Sequence, residues 1–189
     1  IWKGLVGSEM CIRDRAKTDA KSLDGWTVWT YRSVRPIPIE ETTMAKLSGI
    51  AIAPRIMKPM EKQDEATITV EAGIDGDARG RKNGRQISIL FEDDWADAMA
   101  DAGAMMDWSE RRANLLVSGM RSPQEEGGVF SIGGVRLEVV METDPCEVME
   151  SKRAGLQQAM MPAWRGGVCC RVVAGGSIRV GDAVTYSKA

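Results

Sequence analysis

The feature that most constrains the fold is a succession of short apolar runs of strand character, set apart by glycine. Residues 66–72 alternate apolar and polar with period two, and residues 49–53 end against Pro54. Residues 86–91, 114–117, 129–132 and 135–140 repeat the type. Gly133-Gly134 is a two-residue hairpin signal, and Gly175-Gly176 reads the same way between residues 168–174 and 177–180, with 182–186 closing the chain. Such runs bury one face only by packing on one another, so the expected fold is mainly β, a small antiparallel β-barrel with a few flanking helices.

Two segments change to helical period. Residues 92–102 begin with Asp93 and Asp94, place Trp95, Ala98, Met99 and Ala102 on one face, and meet Gly103 where a C-cap belongs. Residues 146–160 run until Pro162 stops them, with Met149, Leu156 and Met160 directed inward. Both stripes are of the kind that fills a core.

The N-terminal part lacks any such order. Residues 5–14 resemble the in-frame translation of a transposon-end adapter used in preparing sequencing libraries, and residues 16–43 carry Trp26, Trp29 and Tyr31 without a sustained period. Residues 1–43 are therefore expected to be a non-native or disordered leader that adds little to the core, and residues 44–189, from Met44 on, the folded domain.

Charge narrows the partners. With 25 Lys and Arg against 27 Asp and Glu the net charge is −2, and no basic tail is present to neutralise a phosphate backbone. No apolar run approaches a membrane span. Nucleic acid and membrane are both set aside, and a small molecule is the expected ligand. The chain has no histidine, which removes Ser-His-Asp and Cys-His pairs and imidazole metal sites. Its chemistry must come from Cys, Asp, Glu, Lys, Arg or the main chain.

Cysteines occupy positions 11, 146, 169 and 170. No CxxC spacing exists, so neither a zinc site nor a thioredoxin-type pair is supported, and reduced thiols imply a cytoplasmic setting. Cys169 and Cys170 are neighbours in a strand and point to opposite faces, one to the core and the other to solvent or the barrel interior. Cys146 follows Pro145 between a strand and a helix. Proline forces a turn there, which puts the thiol in the first helical turn, near unpaired N–H groups that favour the thiolate. The same position suits an ordinary small core residue, and the local sequence leaves both open.

Residues 73–86 combine four glycines with Arg79, Arg81, Lys82 and Arg85. Glycines allow backbone amides close to an anion and guanidinium groups hold it, although a solvated hairpin loop would look alike. Arg111-Arg112 and Arg165 offer further cations just before two strands, and Arg81 and Lys82, nearer the loop tip, are expected to be solvated.

Taken in order, Asp75-Gly76-Asp77, Arg85-Gln86-Ile87-Ser88, Arg112-Ala113-Asn114-Leu115, residues 128–137, Asp144-Pro145-Cys146 and Arg165-Gly166-Gly167-Val168 resemble the MOSC domain, named for the C-terminal part of molybdenum cofactor sulfurase. The likeness spans nearly all of residues 44–184 and points to the small stand-alone bacterial type. It implies a β-barrel that binds molybdenum cofactor (molybdopterin). Cys146 falls at the cysteine that ligates molybdenum or carries sulfur as a persulfide, so it is the expected catalytic residue and metal ligand. Arg79, Arg85, Arg112 and Asn114 are expected to hold the cofactor's anionic part. The implied activity is sulfur transfer or molybdenum-dependent reduction of N-hydroxylated compounds, with an electron-donor or sulfur-donor protein as partner. A non-catalytic module that binds or delivers the cofactor or a small anion is the alternative. Many relatives have an arginine and a histidine after Gly-Asp where this chain has Ala78-Arg79. Pyridoxal phosphate, bound by a separate domain in the fused sulfurases, is not expected here.

Overall fold

The computed structural model describes residues 44–80 and 85–189; the leader expected at 1–43, with Cys11, and Arg81 and Lys82, expected to be solvated, lie outside them. Eleven strands carry the described part: β1 (Lys46–Ile52), β2 (Glu61–Gln63), β3 (Glu65–Thr69), β4 (Gly73–Ile74), β5 (Ile87–Phe91), β6 (Leu115–Ser118), β7 (Val129–Ile132), β8 (Val135–Glu142), β9 (Val168–Ala174), β10 (Gly176–Arg179) and β11 (Val184–Ser187). Each expected run appears as a strand within a few residues of its assigned place.

Their assembly differs from the expected barrel. The strands form an eight-stranded sheet, ordered β11-β7-β8-β9-β5-β6-β1-β2, and a three-stranded sheet, β10-β3-β4. The start of β1 does approach β11, through a single Lys46–Ala183 bridge and the backbone bonds Leu47 N–H to Asp182 O at 2.9 Å, Gly181 N–H to Leu47 O at 2.8 Å and Val184 N–H to Ala45 O at 2.8 Å, but among the described residues no ladder closes the ring. Period-two alternation specifies which face of a strand is buried, and it is silent on whether the sheet closes. One pair, β5 with β6, is parallel rather than antiparallel. It is joined by a crossover through α1 (Glu92–Asp101) and a 3-10 turn at Trp108–Arg111.

The two glycine pairs also part company. β7 and β8 form the expected hairpin, with Gly133 at φ 55°, a value that costs a glycine little. At Gly175-Gly176 there is none, because β9 pairs with β5 and β8 whereas β10 pairs with β3. Here glycine provides close approach: a Cβ on Gly175 would lie 2.5 Å from Ile68 O, where the chain passes from one sheet to the other.

Alternation along each strand feeds two separate cores. Ile87, Ile89, Phe91, Leu115, Val117, Val139 and Cys170 pack with Ile68, Ile74 and Ile178 of the smaller sheet. Leu90 and Leu116, one step along the same strands, pack instead with Trp95, Ala98 and Met99 of α1 and with Met149, Leu156 and Met160. Burying side chains of this size stabilises the fold by about 1.5–3 kcal/mol each.

The helix expected over 146–160 is broken into α2 (Glu147–Lys152) and α3 (Leu156–Met160). Arg153 is extended and Gly155 left-handed at φ 82°. The Glu150 carboxylate bridges the break, accepting from Gly155 N–H at 2.9 Å and Gln157 N–H at 3.3 Å. The polar residue Ser88 lies on β5, Asn114 just before β6 and Cys169 on β9. Ser88 is paired in register with Cys169 across β5 and β9.

Candidate functional site

Asp77, buried in the loop after β4, is the hub of a polar network. Its carboxylate accepts Ala53 N–H at 3.1 Å, Asn114 Nδ2 at 2.6 Å, Arg79 N–H at 2.7 Å, Arg79 Nε at 3.3 Å and Arg79 Nη2 at 3.2 Å. Burial pushes the Asp77 carboxyl up, but the hydrogen bonds and charge of Arg79, with the Ala53 N–H, outweigh it and hold the group below the usual carboxylate range.

Asn114, just before β6, is fully engaged. Its Oδ1 accepts from Ser88 N–H and Ser88 Oγ, and its Nδ2 donates to Ala51 O and Asp77. No free donor or acceptor remains on the side chain, so what it does to any ligand it does by fixing β1, β5 and the Asp77 loop. Arg79 spans from Asp77 to Arg112 O, which its Nη1 reaches at 2.7 Å. Arg112 itself ends the 3-10 turn in the left-handed region, φ 64°, a conformation costing a non-glycine residue about 1–2 kcal/mol. Its Nη1 donates to Lys58 O at 3.0 Å, beside an open cleft of about 440 Å³ lined by Pro54, Arg55, Lys58, Pro59 and Glu61.

Arg79, Arg112 and Asn114 are thus brought together. Arg85 is not bonded to them; it is exposed, with its Nε against Met141 Sδ at 3.3 Å. Arg165 is tied to Asp101 of α1 and to Ala159 O of α3.

Cys146 is exposed and is the N-cap residue of α2, one place outside the first turn. Exposure rules out the core reading of this thiol. α2 has only six residues, so little helix dipole gathers behind it. Both other described cysteines are buried, so of the two directions expected for the thiol that does not enter the sheet core, solvent or the interior, it does not take solvent. Cys170 belongs to the sheet core, where burial pushes its thiol well above the ordinary range. Cys169 turns the other way, its Sγ at hydrogen-bond distance, 3.2 Å, from Thr143 Oγ1.

Arg111, neighbour of the motif residue Arg112, is held on Thr143, the residue whose hydroxyl meets Cys169. It is 7% exposed, and its Nη2 donates to Thr143 O at 2.9 Å while its Nε has no hydrogen-bond partner among the described residues. Burial lowers its pKa, thiolate charge on Cys146 and Cys169 raises it, and Arg79 lowers it further. A guanidinium stays cationic throughout. The loop at Gly166-Gly167 presses on this group: a Cβ at Gly166 would run into Thr143 O and lie 3.2 Å from Arg111 Nη2, and one at Gly167, φ 88°, would run into Ile89 O. Ala163 and Trp164, just before it, are also left-handed. The arrangement therefore offers an exposed soft nucleophile at Cys146, a buried cation held on Thr143 at Arg111, and the polar network around Asp77.

A family model described as "MOSC domain" matches residues 77–185, from the Asp77 hub to β11. No curated protein matches the chain. Among solved structures, the YuaD protein from Bacillus subtilis is similar at 25% identity and a TM-score of 0.65, covering 76% of this chain and 95% of that one. YiiM from Geobacillus stearothermophilus, at 12% identity and a TM-score of 0.56, covers 78% of this chain and 75% of its own. YiiM from Escherichia coli, at 16% and 0.55, covers 76% and 70%. The last two likenesses speak for the fold, and the family match over more than half the sequence shows that the chain belongs to the MOSC domain family.

Proposed function

We propose that this chain binds molybdenum cofactor beside Cys146, with the Cys146 thiolate as the protein's ligand to the metal or as the carrier of a transferable sulfur. The observation that carries the reading is the exposed Cys146 thiol at the N-cap of α2, at the motif position of a chain of the MOSC family.

The donor set fits a metal that arrives with ligands of its own. Among the described residues no group of three or more Cys, Asp or Glu could hold a bare ion. One thiolate is a soft ligand suited to completing the shell of a metal already held by a dithiolene. Arg79 and Arg112 would hold the cofactor's anionic part, Asp77, itself bonded by Asn114, would keep Arg79 in place, and Arg85 would act from the rim near Met141. Bound cofactor would supply the two-electron chemistry for reduction of N-hydroxylated compounds; the cysteine alone suffices for sulfur transfer, since a thiolate is the nucleophile that step needs.

The test is elemental analysis of the full chain produced in a host that makes molybdenum cofactor, alongside Cys146→Ser. Near-stoichiometric molybdenum, or persulfide on Cys146, that is lost in the serine variant is expected. Neither metal nor persulfide in the parent chain, or equal retention by the variant, would refute the proposal. Cofactor retained without turnover would favour a delivery module over an enzyme.

A further inference from the structure

We infer that the cleft beside Arg112 is a binding site for a phosphate monoester, and that the turn at Arg55–Lys58, outside the residues matched by the family model, supplies two of its three cations. The site shares Arg112 with the function proposed above and otherwise stands apart from it, since it is built without Cys146.

Backbone geometry brings these charges together and holds them. Lys58 N–H donates to Arg55 O at 3.3 Å, which closes a four-residue turn and sets the two cationic residues within about 7 Å of each other. Met57 inside it has φ 68°, and a positive φ at the third position alone marks a type II turn, where glycine is the unstrained residue. A methionine there is strained by about 1–2 kcal/mol. Arg112, whose Nη1 donates to Lys58 O at 3.0 Å, is strained in the same way at φ 64°. Strained residues thus stand on both sides of the hydrogen bond that pins the turn to the 3-10 segment, the pattern of a site held in shape before its ligand arrives. Pro54 and Pro59 fix φ just outside the turn and stiffen it further.

Two like charges in one turn repel, and among the described residues neither the Arg55 nor the Lys58 side chain has an ion-pair or hydrogen-bond partner, whereas Lys62, a few residues on, is paired with Asp107. Both line the open cleft of about 440 Å³ together with Pro54, Pro59 and Glu61, and Arg112 borders it. Three cations against the Glu61 carboxylate leave two positive charges. A phosphate monoester near neutral pH carries about −1.5 to −2, which answers them, whereas a carboxylate answers only one. Arginine offers phosphate a planar fork of donors and lysine a mobile point charge, so together they suit a group with three acceptor oxygens. The two proline rings give the ligand's organic body an apolar wall.

The experiment titrates the full chain, produced in a host that does not make molybdenum cofactor, with phenyl phosphate by calorimetry, and with phenol as the uncharged control. Phenyl phosphate should bind and phenol should not. Arg55→Gln and Lys58→Gln should each weaken binding about two- to fivefold, the range of one exposed ion pair, and Glu61→Gln should strengthen it by a similar factor. All three positions are exposed, so these changes leave the fold intact. Equal affinity for the two probes, no binding of either, or unchanged affinity in Arg55→Gln or Lys58→Gln would overturn the inference. Repeating the titration on chain loaded with molybdenum cofactor identifies whose phosphate the cleft takes: lost binding assigns it to the cofactor's own phosphate, retained binding to a separate phosphorylated small molecule, and either result supports the phosphate site. A chain that binds phenyl phosphate yet holds neither molybdenum nor persulfide would refute the function proposed above and leave this inference standing; molybdenum retained by a chain that binds no phenyl phosphate would do the reverse.

Discussion

Replacing Asp77 with asparagine should destabilise the fold more than any other single polar change near the site. The carboxylate serves five donors, three of them from Arg79, and an amide can serve those on one of its two atoms only. In the better orientation the new NH₂ faces Arg79 N–H and Nε, so two charge-assisted bonds go and two donors are left facing a donor. At about 1.5–3 kcal/mol each the loss is up to about 6 kcal/mol. The Arg79 side chain is 27% exposed and regains water, which brings the expected cost to about 2–4 kcal/mol. For a urea m-value of about 2 kcal/mol/M this is a fall in midpoint of about 1–2 M, read by tryptophan fluorescence. The pH dependence carries a sign. Asp77 has a folded-state pKa below its unfolded value, so the unfolded chain takes up the proton first. The stabilisation is complete above the ordinary carboxylate range and is lost as pH falls through that range towards the depressed folded value. Asp77→Asn should flatten this acid limb. A midpoint shift under about 0.3 M, or an unchanged acid limb, would refute the hub.

Three further outcomes follow from the same geometry. Arg112→Gly should leave stability unchanged or raise it by up to about 1 kcal/mol, since glycine accepts φ 64° freely, while weakening cofactor or anion binding by about 1.5–3 kcal/mol; denaturation and ligand titration measured together would check the opposite signs. Peptide-resolved alkylation near neutral pH should label Cys146 first and leave Cys169 and Cys170 protected until the chain unfolds; similar rates at all three would contradict their burial. Gly167→Ala should cost about 2 kcal/mol or more, because φ 88° is strained for alanine and its Cβ meets Ile89 O; a midpoint within about 0.3 M of the parent would show that the loop yields.

The strands were legible because each carries its own signal. Alternation at residues 66–72 and the apolar run at 86–91 needed no tertiary information, and the α1 stripe of Trp95, Ala98 and Met99 is buried as its spacing requires. What escaped was relational. Gly175-Gly176 and Gly133-Gly134 are the same dipeptide, yet one turns a hairpin while the other lets β9 pass close to Ile68 on its way between sheets. The difference lies in which strands are neighbours, and nothing within a few residues of either pair encodes it. The break in the 146–160 helix had a local cause, Gly155, that the unbroken apolar stripe of Met149, Leu156 and Met160 concealed.

The site shows the same division at single-residue scale. Arg111 and Arg112 are chemically identical in the sequence, and order alone gives no means of choosing between them. A 3-10 turn advances each side chain by about 120°, so adjacent positions in it face different directions. The turn at Trp108–Arg111 carries Arg111 inward beneath Thr143, and the left-handed Arg112 then reverses the chain, sending its own guanidinium outward to Lys58 O. The strain at Arg112 thus separates two equal cations into unequal roles, one facing the open cleft and one sealed against Thr143. Family resemblance pointed to Arg112 because it occupies the motif. Only burial distinguishes Arg111, and burial is the property that makes its unfilled Nε–H consequential.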